Sequence, residues 1–333
     1  MTSHDCAPCP PLPVELVEQI IEQAWSSPMT REQRSTLFLT FCHINRTWLS
    51  LFIHIALRDV HIGCPLSSED YLRLLRERRP SDPNNDFELE SASTTANALC
   101  RSLTFRVGHD THLPIPNAEP SVLLYSIDNP SANAISSTLY MVSTLNYLPN
   151  LRRVSIEYVN WGFEDIPEQG RLLAFPDQVT DLHITFAFTK PALVRLADTL
   201  RTRYSRRWYA GGDTPSIRRL SVFGAPMDFV AEMIETCPNV ETVDLDGSGG
   251  LDALLHIPES LHTLNLHMSS STLGEAEIGK WRLDAALNMG LLKSPRTMQR
   301  RLVFHSGAPD ATAWEKARKL CADHNVVLVH KLL

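Results

Sequence analysis

Arg201, Arg203, Arg206 and Arg207, interleaved with Tyr204, Trp208 and Tyr209, form a cluster able to grip a charged partner. An arginine fork binds phosphate or carboxylate through paired bonds, and aromatic rings add stacking area. The cluster would suit a phosphorylated or acidic segment of a client protein. Its plainer reading is a solvated helix end, where cations satisfy the helix dipole. Arg73, Arg76, Arg78 and Arg79 pose the same choice. Asp244, Asp246, Ser248, Gly249, Gly250 and Asp252 follow the opening of a calcium loop, but Leu255 stands where the bidentate glutamate belongs. A connecting turn is the better reading. Cys6 and Cys9 are spaced like zinc ligands and His4 could add a third donor, yet no second pair follows to complete a tetrahedron. Residues 1–11 therefore read as a flexible tail. No G-x-S-x-G, H-E-x-x-H or G-x-x-x-x-G-K occurs, so the expectation is a non-enzyme with neither cofactor nor metal.

Composition narrows the class. The chain has 333 residues, 43% hydrophobic and 21% charged, with a net charge of -7, which describes a globular protein of one large or two ordinary domains. A negative balance argues against general affinity for nucleic acid or anionic membrane, since both need a basic field. The longest apolar run, 49–57, contains His54 and falls well short of the roughly twenty residues a spanning helix needs. The start lacks the layout of a signal peptide, and the seven cysteines are odd in number and scattered. An intracellular protein of cytoplasm or nucleus is expected. Cys42 and Cys321 fall on apolar helix faces and read as core.

The elements that would position any site begin with two helical patterns, 12–25 and 37–52, joined by a polar connector at 29–35. Leu16, Val17, Ile20, Ile21 and Ala24 make two adjacent columns on the first helix. Leu37, Phe41, Ile44, Trp48 and Leu51 line the second, with Phe38, Cys42, Leu49 and Phe52 beside them. That is more apolar surface than about fifty residues can hide alone, so a partner is implied.

These residues resemble the F-box and F-box-like proteins, whose pattern is L-P-x-E-L, two apolar residues one turn on, then V-C-R-x-W. Leu12, Pro13, Glu15, Leu16, Ile20 and Ile21 fit the first half, and Ile44, Asn45, Arg46, Thr47 and Trp48 the second. Asn45 stands where the family usually has Cys, and the stretch between the halves is longer than usual. The resemblance implies docking on a Skp-type adaptor, and through it on a cullin, by Leu12, Pro13, Leu16, Ile20, Ile21, Ile44, Arg46 and Trp48.

From residue 57 onward, short runs of the form apolar-x-x-apolar-x-apolar recur, most clearly at 151–156, 179–184, 217–222, 240–245 and 261–266. Looser relatives lie at 57–62, 101–107, 301–305 and 326–329. Each is one strand long, and His183 and His262 alternate outward. Helix patterns fall between them: Pro191 to Leu200, a helix begun by Asp228 as N-cap and closed by Pro238, and a last stripe of Trp314, Ala317, Leu320 and Cys321 stopped by Asn325. Such alternation allows a doubly wound sheet or a solenoid. The motif resembles the L-x-x-L-x-L core of leucine-rich repeats, although Val159, Ala187, Ala225 and Ser248 replace the expected Asn or Cys. No Gly-rich phosphate loop follows a strand.

The sequence reading is an α/β chain with a helical F-box-like domain at 12–56 and an irregular leucine-rich-repeat-like αβ solenoid at 57–333, interrupted by loops near 80–98 and 109–134. The first helices and the C-terminal strand would cover its ends. As function it implies the substrate-receptor subunit of a Skp/cullin/F-box ubiquitin ligase, with Arg201, Arg203, Arg206, Arg207 and Trp208 as candidate client contacts. The alternative is a repeat scaffold that joins no ligase.

Overall fold

The computed structural model describes residues 12–76, 86–108, 130–189, 191–204, 213–246, 249–254, 256–268, 272–292 and 299–332. It opens with three helices, α1 (Val14–Ser26), α2 (Arg31–Ile44) and α3 (Arg46–Arg58). The residues read as a connector are in fact the first turn of α2. Thr30 Oγ1 accepts from the Gln33 amide at 3.2 Å and Gln33 Oε1 accepts from the Thr30 amide at 2.9 Å, a reciprocal cap that starts the helix early. The single long helix expected over 37–52 is broken at Asn45, whose backbone is extended (φ -167°, ψ 175°). Its side chain accepts from the Trp48 amide at 3.0 Å and so caps α3. Asparagine is among the strongest N-caps, which is why the chain restarts here.

α3 lies between the other two helices, packing against both. Val17, Ile21, Trp25, Phe41, Phe52 and Ile55 form a core of their own, separate from the main core. Phe52 is its hub, with ring centroids of Trp25, Phe41 and Phe38 at 5.1, 5.2 and 5.3 Å. The unit is fastened to the rest by few polar ties. Trp25 Nε1 donates to the Asp59 carbonyl at 2.8 Å, and Arg58 pairs with the Asp59 carboxylate while also joining Glu22 inside the unit.

The remainder is built on a nine-stranded sheet, parallel throughout. Its strands are β1 (Asp59–Ile62), β2 (Ser102–Gly108), β3 (Arg153–Val159), β4 (Asp181–Ala187), β5 (Arg219–Phe223), β6 (Thr242–Asp246), β7 (Thr263–His267), β9 (Arg300–Ser306) and β11 (Val326–Leu332). The short β8 (Thr272–Leu273) and β10 (Ala308–Pro309) pair separately. Neighbours in the sheet follow chain order, so the described strands have no reversal point of the kind at which doubly wound sheets bind ligands.

Register aligns the recurring motif. Val60, Leu103, Val154, Leu182, Leu220, Val243, Leu264, Leu302 and Leu328 stand side by side across all nine strands. With Phe105, Ile156, Ile184, Val222, Leu245, Leu266 and Phe304 they form one apolar face, buried with helix residues such as Leu72, Leu139, Ile234 and Cys321 in a continuous core. Beneath that face a buried ion pair ties the connection after β3. Asp165 accepts from Arg171 at 2.8 and 3.0 Å and from the Tyr158 hydroxyl at 2.8 Å, while Arg171 also donates to Asn133 at 2.8 Å. At Gly224 (φ 75°) a Cβ would sit 2.1 Å from the Phe186 carbonyl, so only glycine lets the chain leave β5 so close to β4.

Other expectations are corrected. The loop read near 80–98 contains a helix, Asp86–Leu99, whose alanine-rich sequence carries little apolar pattern; the remainder to 85, and 109–129 of the second loop, lie outside the described residues. The helix assigned to Asp228 as N-cap begins at Met227 after Pro226, leaving Asp228 in its first turn. Asn325 does stop the last helix, in the left-handed conformation (φ 59°). Cys321 is buried and Cys42 half-buried. Cys6 and Cys9 lie outside the described residues.

Candidate protein-interaction surfaces

Leu12, Leu16 and Ile20 follow one another by four residues and form an exposed stripe on and just before α1, next to the buried column of Val17, Ile21 and Trp25. Leu16 and Ile20 are each 45% exposed. Pro13, Ile44 and Arg46 are exposed as well, and Trp48 is half-buried against Phe41 at 5.6 Å. Ile21 departs from the expected contact set. It is 0% exposed, because the α1 face it occupies is the one α3 covers, and it serves as core. Exposed apolar side chains continue on α2 with Phe38 and Leu39 and on α3 with Ile53.

The second surface is the other face of the sheet. Parallel sheets are usually buried on both sides. Here the outward positions are polar on nearly every strand, and they line a trough of about 430 Å³. Its floor is the row His61, Thr104, Ser155, His183, Ser221 and Asp244, matched strand to strand by the register and continued beyond the trough by Asn265. Asp244 organises the centre, accepting from Arg219 Nε at 2.8 Å, Ser221 Oγ at 3.0 Å and Asn265 Nδ2 at 2.7 Å. Burial alone would raise its carboxyl, but the bond and charge of Arg219, with Asn265 and Ser221, outweigh it and hold the group below the usual range.

Three histidines on this face, His61, His183 and His305, are pushed toward neutrality. Burial, then the charge of Arg34, takes His61 down to about 3. Burial and the charge of Arg153 lower His183. His267 and His305 stack at 4.4 Å, and His305 is lowered by burial, by its neighbour and by Lys331. Arg153, Arg301 and Lys331 lie outward on the face and make no ion pair among the described residues. The carboxylates are mostly engaged: Asp59 with Arg58, Glu157 with Arg106 at 3.3 Å, Asp244 with Arg219.

A cleft of about 400 Å³ joins the two surfaces. Trp25, Met29, Phe38 and Leu39 form its apolar wall, and His61, Thr104, Arg106 and Glu157 the opposite side. His61, Thr104 and Glu157 also line the trough, so cleft and trough are continuous. Arg34 props the wall, donating to the Trp25 carbonyl at 2.6 Å with its guanidinium 4.8 Å from the ring centroid.

Of the arginine cluster, the structure describes the side chains of Arg201 and Tyr204. Arg201 donates to the Gly224 carbonyl at 2.8 and 3.1 Å and pairs with Asp198 at 2.6 Å, so its fork serves the fold. The buried Tyr204 hydroxyl bonds Glu232. The Arg203 side chain and Arg206, Arg207 and Trp208 lie outside the described residues. Arg73 pairs with Asp70 at 3.3 Å.

Little on the face resembles a catalytic constellation. Thr185 Oγ1 meets His183 Nε2 at 2.8 Å, but among the described residues no acid orients the other ring nitrogen. No three His, Cys, Asp or Glu side chains among the described residues are placed to share a metal ion. Asp246 of the calcium-like run instead accepts from the Gly224 amide at 2.8 Å. No described helix is long and apolar enough to cross a membrane.

The sequence signal for the trough was available in the positions between the motif's apolar residues, such as Arg153 and Ser155, or Arg219 and Ser221. The cleft had no such signal, because its walls come from residues far apart in the chain. No protein-family model matches the chain, and no curated protein matches it.

Proposed function

We propose that this chain is the substrate-receptor subunit of a Skp/cullin/F-box ubiquitin ligase, with α1–α3 as the F-box-like segment and the sheet region as an irregular leucine-rich-repeat-like stack. The observation that carries the reading is the exposed stripe Leu12, Leu16 and Ile20, at positions where the F-box pattern places its adaptor contacts. A unit that has already buried Val17, Ile21 and Trp25 gains nothing from this second apolar column unless another molecule covers it. Strands that follow chain order, with one polar face open, support the repeat-like reading and give a client somewhere to lie. The protein acts by holding two partners, a Skp-type adaptor at one end and a client on the sheet, and performs no bond chemistry itself.

A second reading, a scaffold that joins no ligase, is favoured by the inward use of Ile21 and the half-burial of Trp48. Co-purification with a Skp-type adaptor separates the two. The double variant Leu16→Asp, Ile20→Asp changes only exposed positions, so it should keep its circular dichroism spectrum and lose the adaptor. Equal recovery of adaptor by both folded forms would reject the ligase reading in favour of the scaffold.

A further inference from the structure

We propose that the cleft between α2 and the start of the sheet binds a small neutral aromatic molecule that carries a hydroxyl group, with its ring on the apolar wall and its hydroxyl over His61 and Thr104. The site stands apart from the reading that α1 docks an adaptor, since Leu12, Leu16 and Ile20 do not line it.

Two side chains on the polar side of the cleft are left without hydrogen-bond partners. Thr104 is 8% exposed, yet its hydroxyl makes no hydrogen bond among the described residues. The alternation of β2 turns Leu103 and Phe105 into the core and Thr104 the other way, onto the cleft. His61 stands beside it in register on β1, its ring perpendicular to that of Trp25 at 5.3 Å, and neither ring nitrogen is bonded among the described residues. Adjacent strands lie about 4.8 Å apart, so one oxygen atom placed over the two side chains can reach both. Buried polar groups are nearly always satisfied, so this pair calls for a guest. Burial and the charge of Arg34 keep His61 neutral at physiological pH, which leaves one ring nitrogen to donate and one to accept. A threonine hydroxyl also does both. The matching group must itself donate and accept, as a hydroxyl does and an ether or a carboxylate does not.

The opposite wall supplies apolar surface. Trp25, Met29, Phe38 and Leu39 close that side, and Phe38 and Leu39 are 45% and 56% exposed, so covering them releases water. The volume of about 400 Å³ falls within the range of small-molecule sites, roughly 300–1,000 Å³. Charge gives an ionic guest no advantage. The cleft and the trough that continues from it are lined by Arg34, Arg106, Arg153 and Arg219 and by Asp59, Glu157, Asp181 and Asp244, so the two signs balance. Within the cleft Glu157 pairs with Arg106, and Arg34 turns its N–H groups to the Trp25 and Ser27 carbonyls at 2.6 and 3.3 Å. A neutral guest here touches Trp25 and Phe38 of the helical unit and His61 and Thr104 of the sheet. It therefore fastens two parts that few polar ties otherwise join, and its binding raises the melting temperature.

The test uses the full chain and 2-naphthol, titrated by calorimetry and scored also by thermal melting. 2-Naphthol should bind and raise the melting temperature. 2-Methoxynaphthalene, which cannot donate, and 2-naphthoate, which is charged, should each bind about fivefold more weakly. Thr104→Val keeps the shape, removes the hydroxyl and should weaken 2-naphthol about fivefold, whereas Thr104→Ser should retain it. Leu39→Glu changes an exposed wall residue, so it should leave the melting temperature of the free chain unchanged and weaken 2-naphthol about tenfold by burying a charge. Absence of 2-naphthol binding to the intact chain overturns the proposal, as does binding that either Thr104→Val or Leu39→Glu leaves unchanged. Equal or tighter binding of the ether or of 2-naphthoate overturns the ligand class. N-acetyltyrosinamide binding more tightly than 2-naphthol overturns the small-molecule assignment in favour of a tyrosine side chain of a partner protein.

Discussion

Two regions of this chain treat apolar residues in opposite ways. The sheet region places its Leu, Ile, Val and Phe in register on one face and roofs them with helices, and its exposed large hydrophobics, such as Leu66, Leu173 and Met289, are scattered singly. The three opening helices bury a core of six side chains, yet they and Leu12 just before them hold eight of the fifteen exposed large hydrophobics found among the described residues. A short helical unit has too much surface for its volume to hide everything it carries. Scattered exposed residues need no explanation, but a column repeating every four residues beside a finished core does. The contrast teaches that the useful signal is apolar surface left over after packing, not apolar content itself.

The contrast can be broken experimentally. The largest effect is expected in the sheet region, where Arg171→Ala strands the buried Asp165 carboxylate and should cost about 3–5 kcal/mol in urea unfolding. A loss as small as that of a surface substitution would show that the connection after β3 is not packed as described. Within the helical unit, Ile21→Ala should cost about 2–5 kcal/mol, while Ile20→Ala, one residue away, should stay within about 0.5 kcal/mol. Similar losses from both would erase the distinction between core column and bare column.

A smaller effect concerns the junction of the two regions. His61 faces the Trp25 ring at 5.3 Å and is held down to about 3 by burial and Arg34. The unfolded chain takes up this proton near the ordinary histidine value of about 6.5, whereas the folded chain refuses it until about 3. Stability from this group is therefore complete above about 6.5 and declines as pH falls through that window. His61→Leu should flatten the fall in melting temperature between those limits; an unchanged slope would place the proton elsewhere. The smallest change is Asn45→Ala, which removes the α3 cap and should cost about 1 kcal/mol. No cost would mean that the break between α2 and α3 is imposed by packing alone.

Much of the sheet was legible in the sequence because each strand carries its own alternation. The motif at 179–184 overlaps β4 and that at 261–266 overlaps β7, and even the looser run at 57–62 contains β1. The break at Asn45 was harder to see, since Ile44 and Trp48 keep helical spacing across it and only the capping side chain reveals the restart. The Thr30 and Gln33 cap was written in the sequence but lay inside a stretch whose polarity suggested a connector. Among the candidate contacts, Leu16 and Ile20 could not be separated by pattern from Val17 and Ile21, because which column faces inward is decided by α3. The bond of Arg201 was hidden for a related reason: its acceptor, the Gly224 carbonyl, is a tertiary neighbour. The cleft needed Trp25, Phe38, His61 and Thr104 to be brought together by folding.

The unbroken sequential register has one more consequence. Each outward position answers to a single rung of the sheet, with the greasy row beneath it untouched by what the rung displays. Rungs recur at about 4.8 Å, so the polar side works as a graduated scale whose marks can be rewritten one at a time without disturbing the beam that carries them. Inserting one strand with its helix would move the far strands one graduation away from the cleft, and removing one would bring them nearer by the same step. Marks can thus be edited, or the scale lengthened, with the opening helices left as they are.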